Sequence, residues 1–251
     1  MKNILLGLAA GAFLHGAAAQ GCSARSPAHT IALVELYTSE GCSSCPPADQ
    51  FLATRRAAGL RADQAVLLAL HVDYWNDIGW KDPYSQPLFT ARQRALSDLA
   101  HTRTIYTPEF FIAGKEARGW SDGIDAAVKR INAMPAQAGI AISIGQARAG
   151  GLPVQLAAHG PAGARLYLAL LENGIATQVA AGENRGRTLR HEYVVRDWAA
   201  PVTLGADGKA TLARSLPLAR GAPASKYGVA AFVQSEQGAV LQALSLDACG
   251  S

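Results

Sequence analysis

Cys42-Ser43-Ser44-Cys45 is the segment of the chain best equipped to do chemistry. It lies between an apolar run, Ile31 to Tyr37, and a helical pattern that begins at Pro46. The nucleophile of thiol–disulfide exchange is the thiolate. Free N–H groups at a helix N-terminus favour that negative charge and lower the thiol pKa. With two residues between them, the second thiol can attack the mixed disulfide made by the first. Cys42 is therefore read as the exposed, attacking thiol and Cys45 as the resolving one. Two alternatives stay open. Zinc needs four ligands, and Cys22 and Cys249 stand alone. A purely structural four-residue disulfide has the same spacing.

Two further residues bear on the redox reading. Pro108, in Tyr106-Thr107-Pro108-Glu109, precedes the apolar run that starts at Phe110. A proline at a strand entry presents a backbone edge to a bound polypeptide, particularly with a cis peptide bond. A trans proline in an ordinary turn is the alternative. Glu35 is the one charge in its apolar run. Buried, it has a raised pKa and accepts a proton from a neighbouring thiol; at a strand edge, it is simply solvated. His71 and His101 are the histidines that could join the cysteines around Cu(I), which soft thiolates suit. His159 and His191 carry no spacing signal. There is no nucleophile elbow and no Walker or dinucleotide glycine motif.

The first 19 residues read as an export signal. Lys2 supplies the charge, Ile4 to Leu14 the apolar stretch, and Ala17-Ala18-Ala19 the cleavage site. Export to the periplasm or beyond means an oxidising space, where disulfides persist. Cys22 and Cys249 then lie near the two mature ends and are read as a bridge. The composition is 49% hydrophobic and 17% charged over 251 residues, which excludes a disordered chain. A net charge of +4 without clusters of Lys and Arg argues against nucleic-acid binding. Past the signal, no apolar stretch reaches the roughly 18 residues of a membrane span.

These residues must be positioned by the elements around them. Residues 30–134 alternate apolar runs with helical stripes. Strands are expected at 31–37, 65–72 and 110–113, and helices at 46–58 and 87–100, with a third capped by Ser121. That order is an α/β layer arrangement. After Met134-Pro135, residues 139–249 hold short apolar runs between turn residues. They read as about seven or eight strands of an antiparallel β-sandwich. Ala206-Asp207-Gly208-Lys209 is the hairpin-turn signal among them.

Val34-Glu35-Leu36-Tyr37, the cysteine motif, and Thr107-Pro108 before Phe110-Phe111-Ile112 together resemble the thioredoxin fold. More narrowly, 40–49, His71 to Trp75, Gly79 to Pro83, Phe89 to Arg94 and 106–108 resemble the secreted bacterial domain-of-unknown-function 1223 family. The stretch Asn184 to Val195 matches more weakly. The resemblance implies a thioredoxin-like fold for the first domain, a cis bond before Pro108, and redox chemistry by analogy; with the strand pattern after it, the expected fold is a thioredoxin-like domain followed by an all-β sandwich. It departs from thioredoxin at Pro46 and Pro47, which place the helix start near Cys45, and in the aromatic insertion Tyr74 to Tyr84. The expected activity is thiol–disulfide oxidoreduction on protein thiols or disulfides through Cys42, Cys45, Glu35 and Pro108. It needs a redox partner protein and no organic cofactor. Copper binding by the same cysteines, or a binding module with a fixed disulfide, are the alternatives.

Overall fold

The computed structural model describes residues 21–249 apart from 62, 103 and 149. The export signal lies outside them. The first half runs β1 (Cys22–Arg25), β2 (Ala32–Thr38), α1 (Pro46–Ala57), β3 (Ala65–His71), α2 (Pro87–Leu99), β4 (Glu109–Ile112), β5 (Lys115–Glu116) and α3 (Trp120–Asn132). The second half runs β6 (Gly139–Ile144), β7 (Gly151–His159), β8 (Arg165–Glu172), β9 (Ile175–Gln178), β10 (Thr188–His191), β11 (Val194–Trp198), β12 (Val202–Thr203), β13 (Lys209–Pro217), β14 (Tyr227–Gln234) and β15 (Val240–Asp247).

The local readings stand close to these bounds, but the architecture does not. The chain is mostly β, with 40% of it in strands and 18% in helices. It is not a thioredoxin-like α/β domain followed by a self-contained antiparallel sandwich. One mixed sheet of nine strands runs through both halves in the order β15-β14-β8-β11-β3-β2-β4-β5, with β12 beside β8. The join is β11, which pairs parallel to β3 at Val194 and Ala69 and antiparallel to β8. The rest of the second half forms a four-stranded sheet, β1-β6-β7-β13, whose edge strand comes from the first half. β9 and β10 make a separate ribbon.

The physical reason is visible in β8 and β14. Their apolar runs are continuous, the mark of strands covered on both faces. Leu166, Leu168 and Leu170 face the four-stranded sheet. Ala169 and Leu171 share a second core with Leu33, Leu68, Phe89 and Leu96 of the first half. A sandwich strand with one wet face would alternate instead. The Asp207–Gly208 turn is also not a hairpin. β12 pairs with β8 and β13 with β7, so this turn carries the chain from one sheet to the other. Helix α3 begins at Trp120 after Gly119 and has no side-chain cap, so Ser121 sits inside its first turn. Among the described residues no helix is long and apolar enough to cross a membrane.

Candidate functional site

Alternation along β2 decides which side chains meet the cysteines. Val34 and Leu36 pack with Ala48 and Leu52 of α1. Leu33 and Tyr37 pack with Phe89 and Leu96 of α2, on the opposite face. Glu35 shares that second face, because strand neighbours alternate. Its carboxylate accepts from Arg92 Nε at 2.6 Å and Arg92 Nη2 at 3.0 Å, and from the Tyr37 hydroxyl at 3.3 Å. The expectation of a proton acceptor beneath the cysteines is therefore corrected for Glu35. It lies on the far side of the sheet from α1, half of a buried ion pair.

Cys42 and Cys45 form a disulfide, and both residues are fully buried while Ser43 and Ser44 are exposed above them. The reading of Cys42 as an exposed thiol is corrected accordingly. Helix α1 starts only after Cys45, with Pro46 and Pro47 in its first two positions. Prolines bring no N–H. The Ala48 and Asp49 N–H groups both bond the Cys45 carbonyl. Helix-terminal stabilisation of a Cys42 thiolate is thus much weaker than the spacing predicts.

The cysteine loop is held from three directions. Asn184, wholly buried, donates to the carbonyls of Glu40 and Cys42 at 2.8 and 2.9 Å. Glu183 accepts the Ser43 N–H at 2.9 Å. Trp75 lies so close to Gly41 that a Cβ there would stand 3.1 Å from the Trp75 Cβ. The Trp75 indole N–H also donates to Thr107 at 2.7 Å, tying the cysteine loop to the Thr107–Pro108 loop. That peptide bond is cis. Because Tyr37 pairs with Glu109 across β2 and β4, Pro108 comes level with the end of β2, where the cysteine loop departs.

Beneath the loop lies a buried polar cluster. Glu40, Asp49, His71, Asp82 and His191 are all at most 6% exposed. Glu40 Oε1 meets His191 Nε2 at 3.0 Å, and Glu40 Oε2 accepts from the Trp80 indole at 2.9 Å. Asp82 accepts from the Glu40 N–H at 2.8 Å and meets His71 Nδ1 at 2.7 Å. The two imidazoles stand edge to face, 5.0 Å between centroids. Burial opposes charge on both members of the His71–Asp82 pair, but their mutual attraction wins. It holds His71 above and Asp82 below the ordinary range. Burial pushes Asp49 up, against the pull of His191, His71 and the Thr38 hydroxyl bond.

The sequence reading missed Glu40, Asp49, Asp82, Asn184 and His191. The available signal was that several lie in the 40–49, 79–83 and 184–195 blocks; no spacing rule links 191 to 49. His101 is exposed, two residues past the end of α2. Among the described residues no three His, Cys, Asp or Glu side chains converge as a metal cluster would.

Glu109, beside Pro108, yields a pH prediction. Its Oε2 accepts from Gln93 at 2.6 Å, while its buried Oε1 has no partner. Burial pushes its pKa from 4.5 to about 7. A raised carboxyl pKa means that the native state holds a proton the unfolded chain has released. Stability should fall as pH rises from about 4.5 to about 7. Glu109→Gln should flatten that slope in urea titrations across this window. Parallel curves for the two proteins would remove Glu109 as the cause.

The comparisons add kinship without an activity. Protein AGR_C_4864 of Agrobacterium tumefaciens is 26% identical, with a TM-score of 0.62 over 88% of this chain and 96% of that one. HBP35 of Porphyromonas gingivalis is 16% identical, with a TM-score of 0.65 over 88% of this chain and 76% of that one, a likeness of fold alone. No curated protein matches. The model of the family described as proteins of unknown function, DUF1223, matches residues 33–234, spanning the cysteine loop and the strands that clasp it. The chain belongs to the DUF1223 family.

Proposed function

We propose that the protein is an exported thiol–disulfide oxidoreductase, working in the periplasm or outside the cell on protein thiols through Cys42 and Cys45. The observation that carries this reading is the assembly around the motif. The cysteine loop is pinned to the Thr107–Pro108 loop through Trp75 and sits over a cluster of buried acids and imidazoles. A plain structural staple needs none of that. In the oxidising direction a client thiolate attacks Cys42 Sγ, the Cys42–Cys45 bond breaks, and Cys45 leaves as a thiolate that takes a proton. A second client thiolate then attacks the client sulfur of the mixed disulfide and releases Cys42. The reverse sequence reduces a client disulfide.

Trapping tests the roles. Cys45→Ala should accumulate mixed disulfides with client proteins through Cys42, and Cys42→Ala should not. Equal trapping by both, or by neither, defeats the assignment. A second reading, a fixed disulfide in a binding module, is favoured by one observation: both cysteines are fully buried. The reduction potential separates the two. Exchange-active pairs lie at roughly −120 to −270 mV and structural ones below about −300 mV.

A further inference from the structure

Breaking or re-forming the Cys42–Cys45 bond moves a proton at Cys45, and Glu35 is on the wrong face to handle it. Asp49 is on the right one. It lies four residues after Cys45, which caps the helix in a helical backbone conformation, and its own N–H bonds the Cys45 carbonyl at 3.2 Å. Its Oδ2 accepts from the Thr38 hydroxyl at 3.2 Å. Its Oδ1 stands 4.0 Å from His191 Nδ1, a buried ring nitrogen with no hydrogen-bond partner. The other ring nitrogen of His191 is anchored on Glu40. A cleft of about 350 Å³ between α1 and β10 is lined by both Asp49 and His191, with Arg187 and Arg190 on its wall.

We propose that Asp49 is the acid–base group for Cys45 and that His191 is the positioning residue that couples it to the cleft. This rests on the oxidoreductase reading. When a thiolate attacks Cys42, the Cys42–Cys45 bond breaks and its electron pair leaves on Cys45 Sγ. The Asp49 carboxylic acid gives that sulfur its proton and becomes a carboxylate. His191, opposite it, returns a proton drawn from water in the cleft. In the reverse direction the Asp49 carboxylate takes the Cys45 proton as that thiol attacks the mixed disulfide. The long contact between Asp49 and His191 suits a relay that tightens only when charge develops. The groups facing Asp49 are His191 from β10, His71 from β3, and Asp82 from the segment after β3. Thr38 from β2 is its hydrogen-bond donor.

The test follows reduction of Cys42–Cys45 in the folded protein by dithiothreitol, by thiol alkylation after quenching, with each rate divided by the thiolate concentration. In the wild type, this normalised rate should fall as pH rises through the titration of Asp49. Asp49→Asn should be slower by about 100-fold on the acid side, the lower end for general acid catalysis, and flat with pH. His191→Gln should keep the inflection but move it to higher pH, because His191 pulls the Asp49 pKa down. A purely structural Asp49 would change melting without reshaping the profile. A wild-type profile with no inflection, or an Asp49→Asn profile like the wild type, overturns the assignment while the oxidoreductase reading stands. A native disulfide that dithiothreitol does not reduce overturns both. If Asp49→Asn fails to fold, the wild-type and His191→Gln profiles decide alone.

Discussion

Arg92→Ala should lower the free energy of unfolding by about 3–5 kcal/mol, the range for removing one member of a buried ion pair. Glu35 is fully buried, and Arg92 holds it with two hydrogen bonds. The same guanidinium lies over the rings of Tyr167, Trp198 and Phe232, 4.9–5.2 Å from their centroids. Removing it leaves a carboxylate in a dry core and a hole between three aromatic rings. Glu35→Gln should also destabilise, since it leaves Arg92 buried without its counter-charge. An acid whose titration served the cysteines would predict the opposite sign. The double variant Glu35→Leu/Arg92→Leu should recover most of the loss, because apolar replacement of a buried pair is often neutral or better. Urea midpoints on the three variants check this. A loss under 1 kcal/mol for Arg92→Ala would mean that water reaches the pair.

The second large effect belongs to the terminal disulfide. Cys22 and Cys249 are bonded across a sequence separation of 227, with Cα atoms 5.7 Å apart. Loop-closure entropy assigns roughly 5 kcal/mol to so long a loop and only roughly 2 kcal/mol to a four-residue loop such as Cys42–Cys45. The double variant Cys22→Ala/Cys249→Ala should therefore be far less stable than Cys42→Ala/Cys45→Ala. Paired variants are the right measurement, because an added reductant would act on both bonds. Equal losses would mean that the unfolded chain is already compact near its ends.

What the sequence disclosed follows from the range of each signal. The elements were legible: a continuous apolar run or a helical stripe is a local property, and β2, α1, β3 and α2 fall within about two residues of their expected bounds, the usual margin at element ends. The cysteine loop and the loop of Pro108 were legible because both are short motifs. The joined sheet was not. β11 is a five-residue strand, and nothing in Val194 to Trp198 says that its partner is β3 rather than another strand of its own half. The same distance hid His191 and Asn184, whose partners Glu40 and Cys42 are more than 140 positions away. Glu35 was misassigned for a different reason. The sequence left burial and a strand edge both open; the structure buries Glu35, but the face depends on which helix covers which side of the sheet.

The shared sheet has a consequence in time. A growing chain completes β3 well before β11 exists, so until residue 198 has emerged an apolar strand, Ala65 to His71, has one edge with nothing to pair with. The cysteine loop waits as long for Asn184, and Cys22 waits for a partner at position 249. Segments from the N-terminal half thus spend most of synthesis as an open template of the kind that recruits other chains. The molecule closes nearly all at once, at its end. Its passage from ribosome to finished fold is therefore the stage at which a chaperone that shields strand edges should matter most, and a chain stopped short of β11 is the form most at risk of aggregation.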